Sequence, residues 1–348
     1  MDFNYNIGSY KYSSNVLGSG SYSTVFKGKS SKSSKRNADS PSILSNSVAI
    51  KIINHTKVNN YMTEVNMLSS LSKKHENIIE LIDTYDKCDQ YFIIYPYYEY
   101  NLYDYLENNI LKINQIKMIT KCIVNGLLHL NNNYILHGDL KLANILIKKE
   151  GGHIVNVVIC DFSNSKYFDI AEKHDYIKEP LCTLWYRPPE QIISNSFTKT
   201  NGDIWSLGCI LFEIVCKKIL FDSLSNSEEC KNLVLLHNFQ GLIGSIPYTD
   251  DEYFTEYNTL KSLTTDEECL YIIEKWSLSV LFYVNINKLY NKLEISCFSN
   301  YLVMIKNCLQ FIPDQRINLK KLLNNDWFNE ILIIKTNYEM KRKADEIN

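Results

Sequence analysis

The rhythm of apolar and polar residues changes part-way along this chain. Residues 10 to 29 alternate around a cluster of glycines, and SVAIKII at 47 to 53 is a short β-branched run, so both predict strands. Between them, SSKSSKRNADSPSILSNS is rich in Ser and Lys and is expected to form a surface loop joining the two strands. VNNYMTEVNMLSSLS, residues 58 to 72, spaces its apolar side chains as a helix does, and QYFIIYPYY at 90 to 98 predicts another strand. From about residue 102 the spacing is mostly helical. The exceptions are YILHGDLKLANILI and HIVNVVICDF, which predict strands around a turn at Gly151-Gly152. A small β-rich part is therefore followed by a larger helical one, with no internal repeat.

Composition narrows the class. At 348 residues the chain is long enough for one large domain or two lobes, and 45% hydrophobic with 22% charged residues is a soluble globular balance. The formal net charge of -2 provides no chain-wide positive field to attract nucleic acid. Ten cysteines lie scattered without a CxxC pair, and no apolar leader precedes MDFNYNIGSYKYSS. Reduced thiols in a cytoplasmic setting are expected, rather than a disulfide framework or a zinc site. No apolar run nears the roughly 18 residues of a membrane span, so no membrane partner is expected.

Against that background HGDLKLANIL, residues 137 to 146, stands out: a histidine, an aspartate, a lysine and an asparagine in a loop running into a strand. Three other stretches accompany it, G-S-G-S-Y-S-T-V from Gly18, V-A-I-K ending at Lys51, and D-F-S from Asp161. Arg187-Pro-Pro-Glu190, Asp203-Ile-Trp-Ser-Leu-Gly and Pro313-Asp-Gln-Arg316 follow. In this order they resemble the signature set of the eukaryotic protein kinase superfamily, from about Tyr10 to Trp327. The resemblance implies an α+β, bilobal fold in a single kinase domain over about 10–330. Its parts would be a β-rich N-lobe at 1–98, a mostly helical C-lobe at 99–332 and a C-terminal tail at 333–348.

Transfer of a γ-phosphoryl group asks a protein for positioning and for positive charge around spreading negative charge. Gly18 and Gly20 let a turn approach phosphates where a Cβ would collide. A dinucleotide-binding reading of the same glycines fails, because STVFKGK after them reads as strand rather than helix. A Walker loop lacks its GK[ST].

By resemblance, Leu17, Gly18, Ser19, Gly20, Val25, Ala49 and Leu146 surround ATP. Lys51 meets its phosphates and pairs with Glu64. Tyr95 to Tyr98 form the hinge, with Tyr95 as gatekeeper and the backbone of Pro96 and Tyr98 at adenine. Asp139 would accept or orient the proton of the acceptor hydroxyl, Lys141 would touch the γ-phosphate, and Thr183 would meet both. Asn144 and Asp161 would hold Mg²⁺, with 51, 139, 144 and 161 all serving one triphosphate. Cys160, just before Asp161, is expected at the back of the nucleotide pocket and within reach of electrophiles. Glu190 with Arg316 resembles the family's buried ion pair, and Asp203 the residue bracing the catalytic loop.

The resemblance thus implies a monomeric protein serine/threonine kinase acting on Ser/Thr hydroxyls of protein substrates. Ser23 replaces the third glycine of the phosphate loop, Gly138 the usual arginine before the catalytic aspartate, and Ser163 the glycine of DFG. The missing arginine implies activity that does not depend on phosphorylation of the activation segment. A catalytically impaired pseudokinase scaffold remains the alternative, and a small-molecule kinase is disfavoured by the 183–190 element. Arg187 in W-Y-R-x-P-E resembles the CMGC group. LFDSLSNSEECKNLVLLHNFQGLIGSIP at 220 to 247 leans to its SR-protein kinase and CLK members, whereas Thr183-Leu-Trp-Tyr-Arg is closer to cyclin-dependent kinases. An insertion at about 248–298, rich in Asp, Glu and Tyr, would suit basic Arg/Ser-rich substrates. Ser40-Pro41, Tyr167 and Tyr176 are candidate phosphosites, and Lys341-Arg-Lys is a weak nuclear signal.

Overall fold

The alternating segments pair into one antiparallel sheet in the order β1-β2-β3-β4-β6-β5. Its strands are β1 (Tyr5–Ile7), β2 (Tyr10–Ser19), β3 (Ser23–Ser30), β4 (Ser47–Asn54), β5 (Asp83–Lys87) and β6 (Gln90–Pro96). They belong to a computed structural model that describes residues 3–20, 22–31, 46–71, 74–168, 175–176, 182–193, 196–197, 201–222, 228–244 and 277–328. Val48 and Ile50 of β4 join Ile7, Tyr10, Phe92 and Ile94 in one buried cluster. Burying each such aliphatic side chain contributes about 1.5–3 kcal/mol. The period of a strand then sends Ala49, Lys51 and Ile53 to the opposite face. Gly28 is required by packing, since a Cβ there would lie 2.8 Å from Ile50 Cδ1 and 2.9 Å from the Lys11 carbonyl.

Helix α1 (Val58–Ser70) buries Glu64, Met67 and Leu68, an i, i+3, i+4 stripe in which one position is a carboxylate. Further on come β7 (Tyr100–Asn101), α2 (Leu102–Asn108), α3 (Ile113–Asn132) and β8 (Ile135–Leu136). The hairpin β9 (Ile145–Glu150) to β10 (His153–Ile159) turns at Gly151 and Gly152, whose φ values of +56° and +84° suit glycine.

The chain forms two compact units, Met1–Tyr105 with Leu142–Lys166, and Leu106–Lys141 with Tyr167–Asn348. The β-rich unit thus extends beyond residue 98 and regains the later hairpin. Backbone pairing explains this: Tyr100 and Asn101 pair with Ile147 and Leu146, and Ile78 bridges Ile159.

The second unit is helical. Alpha-helix α3 buries Ile116, Ile119, Ile123, Val124, Leu127 and Leu130 along one face. Next come α4 (Pro189–Ile193) and α5 (Asn201–Cys216), the latter buried from Gly202 to Cys216, mostly apolar but with Asp203, Ser206 and Glu213 among its buried residues. It is followed by α6 (Glu228–Ile243), α7 (Leu278–Ile286), α8 (Lys292–Ser296), α9 (Ser299–Cys308) and α10 (Leu319–Leu323). Trp205 packs on Phe221 and Phe239, and Tyr301 on Trp327. Residues 32–45 with Ser40-Pro41, the 245–247 end of the 220–247 segment with Ile246-Pro247, the 248–276 part of the expected insertion, and the tail with Lys341-Arg-Lys lie outside the described residues. Among the described residues no helix is long and apolar enough to cross a membrane.

Candidate active site

In the first unit, Lys51 Nζ donates to Glu64 Oε2 at 2.6 Å and to Asp161 Oδ1 at 2.8 Å. Three separate local patterns deliver these groups: the strand period of β4, the helical stripe of α1 and the loop after β10. Burial alone would pull the lysine's pKa down. The carboxylates of Asp161 and Glu64 outweigh that and hold it above the usual lysine value, so Lys51 stays cationic. Tyr95, paired across the sheet with Ala49, donates its hydroxyl to Glu64 Oε1 at 2.6 Å. Asp161 adopts φ +67°, a left-handed backbone uncommon for an L-residue and typical of strain stored at a working site.

Ser163 Oγ also donates to Asp161 Oδ1 at 2.8 Å and lies 2.7 Å from the Tyr22 hydroxyl. The residue in the place of the family's hinge glycine therefore binds the carboxylate two positions before it. Gly18 lies near the end of β2 and Gly20 just beyond it, and a Cβ on Gly18 would meet nothing within 4 Å among the described residues. Unlike Gly28, that glycine is not demanded by the chain's own packing, which leaves the open approach that a phosphate group needs.

In the second unit, HGDLK places its groups by hydrogen bonds to Asp203 on the first turn of α5. That carboxylate accepts from His137 N at 2.7 Å and Gly138 N at 3.1 Å. Burial pushes the pKa of Asp203 up against the pull of His137 and these bonds. Gly138 takes φ +82°, a conformation that costs a side-chain-bearing residue about 1–2 kcal/mol. Asp139 Oδ1 then accepts from Thr183 N at 2.8 Å and Thr183 Oγ1 at 2.7 Å. Lys141 Nζ closes the triangle, 2.7 Å from Asp139 Oδ2 and 2.9 Å from Thr183 Oγ1. Behind it, Arg316 grips Glu190 with two bonds of 2.7 and 2.6 Å, both side chains almost fully buried. Arg187 donates twice to the Cys182 carbonyl, fixing the turn that carries Thr183.

The sequence profile described as the protein kinase domain matches residues 12–328. The chain belongs to the protein kinase family. A Xenopus laevis relative named cyclin-dependent kinase 14 is 25% identical over 327 residues, which are 90% of this chain and 65% of that protein. A Caenorhabditis elegans relative named cyclin-dependent kinase 17 is 30% identical over 220 residues, 61% of this chain and 30% of that protein. A Dictyostelium discoideum relative named probable cyclin-dependent kinase 8 is 30% identical over 217 residues, 59% of this chain and 54% of that protein. The chain thus spans 65% or less of the length of these three relatives. All three names fall within the CMGC group, on the branch that Thr183-Leu-Trp-Tyr-Arg resembles more than the segment 220–247 does.

The remaining expected positions of this kinase domain can now be located. Leu17 is exposed on β2, Ser19 ends it, and Val25 on β3 pairs with Lys51. Ala49 and Leu146 are half-buried on β4 and β9, Pro96 is buried at the end of β6 and Tyr98 half-buried beyond it. Cys160 is half-buried and its N donates to the Asn144 carbonyl at 2.9 Å. Burial chiefly, and a charge on Cys160 among the lesser causes, would push the Tyr95 and Tyr98 phenols up.

That backbone bond also sets the buried Asn144 against the residue preceding Asp161. An amide oxygen and a carboxylate are hard donors, too few for a closed cage and well suited to Mg²⁺, which keeps water and phosphate oxygens among its ligands. Among the described residues there is no cluster of three His, Cys, Asp or Glu to suggest another metal. The motif reading named Ser163 as a replacement of a family glycine but missed its partner, the Tyr22 hydroxyl, because the two lie 141 residues apart.

Proposed function

We propose that this kinase domain is a protein serine/threonine kinase that transfers the γ-phosphoryl group of Mg-ATP to Ser/Thr hydroxyls of protein substrates. The observation that carries the reading is the Asp139–Lys141–Thr183 triangle, in which one carboxylate faces both a hydroxyl and an ammonium within 2.7 Å. Asp139 accepts or orients the acceptor hydroxyl's proton, and Lys141 balances charge on the phosphoryl oxygens. Lys51, kept cationic by Glu64 and Asp161, orients the α- and β-phosphates. Magnesium held by Asn144 and Asp161 would neutralise phosphate charge. The acidic run of the sequence between 250 and 268 supports basic, Arg/Ser-rich acceptors.

Incubating the purified chain with Mg-ATP and a peptide library that includes Arg/Ser-rich members tests this. Phosphoserine and phosphothreonine are expected, and Asp139→Asn is expected to abolish them. Absence of any incorporation would favour the pseudokinase scaffold. Incorporation into peptides without preference for Arg would remove only the acceptor class.

A further inference from the structure

The ion pair Lys51–Glu64 carries an attachment that the signature motifs do not contain. Both carboxylate oxygens of Glu64 are bonded, Oε2 by Lys51 at 2.6 Å and Oε1 by the Tyr95 hydroxyl at 2.6 Å. Glu64 is 1% exposed, Lys51 5% and Tyr95 7%, so water does not substitute easily for either donor. An unpartnered carboxylate oxygen at this depth is costly, more so than one amide, because the group is charged.

The donors come from two adjacent strands. Lys51 lies on β4 and Tyr95 on β6, whose register sets Ala49 against Tyr95 and Lys51 against Ile93. Lysine and tyrosine therefore point to the same face of the sheet, two positions apart in register, and straddle one glutamate of α1. Two bonds from different strands fix where the carboxylate sits and how it is rotated. A single bond from a four-carbon lysine stem fixes neither.

We infer that Tyr95 is a positioning residue for phosphoryl transfer, holding the Glu64 carboxylate in the orientation that sets the Lys51 ammonium for the nucleotide phosphates. The inference rests on the kinase reading but adds to it a group that acts through another side chain. Tyr95 is suited to the task because it stays a donor. Burial first, and the Glu64 charge second, push its phenol well above the ordinary tyrosine value, so the proton remains on the oxygen. The groups facing Glu64 are Lys51 from β4, Tyr95 from β6 and, through its charge, Asp161 after β10. Of these only the tyrosine is uncharged, so it satisfies the carboxylate without competing for Lys51.

The test is a double-mutant cycle with Tyr95→Phe, which keeps the ring and removes the hydroxyl, and Glu64→Gln. Tyr95→Phe is expected to lower kcat about tenfold or more, the usual worth of one hydrogen bond to a charged group, with the KM for the protein acceptor unchanged. In the Glu64→Gln background the same change is expected to add little, because its route to Lys51 is already weakened. Multiplying effects, or an unchanged kcat in Tyr95→Phe, would overturn the inference.

A second readout needs no turnover and therefore separates failure of this inference from failure of the kinase reading. Without the phenol, ionised Glu64 loses a donor that its protonated form does not need, so its pKa, already raised by burial, rises further. The fold of the variant should then lose more stability under conditions that keep Glu64 ionised than under acidic conditions that protonate it. A gap in melting temperature between Tyr95→Phe and the natural chain that narrows on acidification supports the inference, even in a chain that transfers no phosphate. A gap independent of pH would sink it.

Discussion

Lys51 and Lys141 are each bonded to a carboxylate at about the same length, yet they sit in contrasting surroundings. The Lys51 side chain is 6% exposed and its partner Glu64 1%, whereas Lys141 is 25% exposed against 8% for Asp139. The first lysine is bound as part of the fold: its two carboxylates are fixed by a tyrosine and a serine, and each component left alone would be an uncompensated buried charge. The second is held by a triangle whose lysine is partly exposed although its carboxylate is buried, so solvent screens that pair more than the first. In the reading proposed above, a lysine that orients phosphates gains from the former surroundings and groups that exchange acceptor hydroxyls gain from the latter; Thr183 bonds both Asp139 and Lys141.

The comparison breaks if removing either lysine partner has the same consequence. Lys51→Met should show the largest effect, losing transfer and about 3–5 kcal/mol of stability by chemical denaturation, because Glu64 keeps its burial and loses its cation. If the melting point stays unchanged, the network is not part of the fold's stability.

Asp139→Asn should lower transfer about 10²–10⁴-fold while shifting stability by no more than about 1 kcal/mol, since Oδ1 remains an acceptor for Thr183. A large loss of stability would make the triangle as structural as the Lys51 network.

Glu213 sharpens the contrast, because its bonded partner is the Tyr186 phenol at 2.5 Å rather than an ammonium. Burial raises its pKa to about 7. The folded chain therefore binds this proton more tightly than the unfolded chain, whose glutamate titrates near 4.3. The resulting stabilisation, about 4 kcal/mol at most, is complete below about pH 4 and is lost as pH rises to 7. Glu213→Gln should flatten the dependence of melting temperature on pH across that window. An unaltered slope would mean that Glu213 titrates normally.

The smallest effect is expected at Gly138, where φ +82° makes Gly138→Ala cost about 1–2 kcal/mol in denaturant unfolding. A neutral substitution would show that the loop relaxes freely despite its bonds to Asp203.

Much of this was legible in the chain itself. The β alternation at 10–29 and 47–53 became β2, β3 and β4, and the helical spacing after residue 58 became α1. The glycine pair at 151–152 became the β9–β10 turn. Glu64 was legible only through the resemblance, as the partner of Lys51, and Asp139, Lys141 and Thr183 as members of two motifs. YILHGDLKLANILI was less so, forming only a two-residue strand before a 3₁₀ turn at Leu142–Asn144, because Asp203 takes up the backbone donors of His137 and Gly138. The unit boundary was also hidden, for it depends on Tyr100 and Asn101 pairing with a hairpin more than forty residues later.

The sequence alone determined which chemical groups are present, on which strand or helix face each stands, and which family the chain resembles, because periodicity and motif spacing are local properties. Tertiary structure alone decided that Tyr95 shares Glu64 with Lys51, that Ser163 binds Asp161 and Tyr22, and that one lysine is dry and the other wet. Those outcomes depend on which atoms meet across tens or hundreds of residues and on how much water is left between them, and no local pattern encodes either.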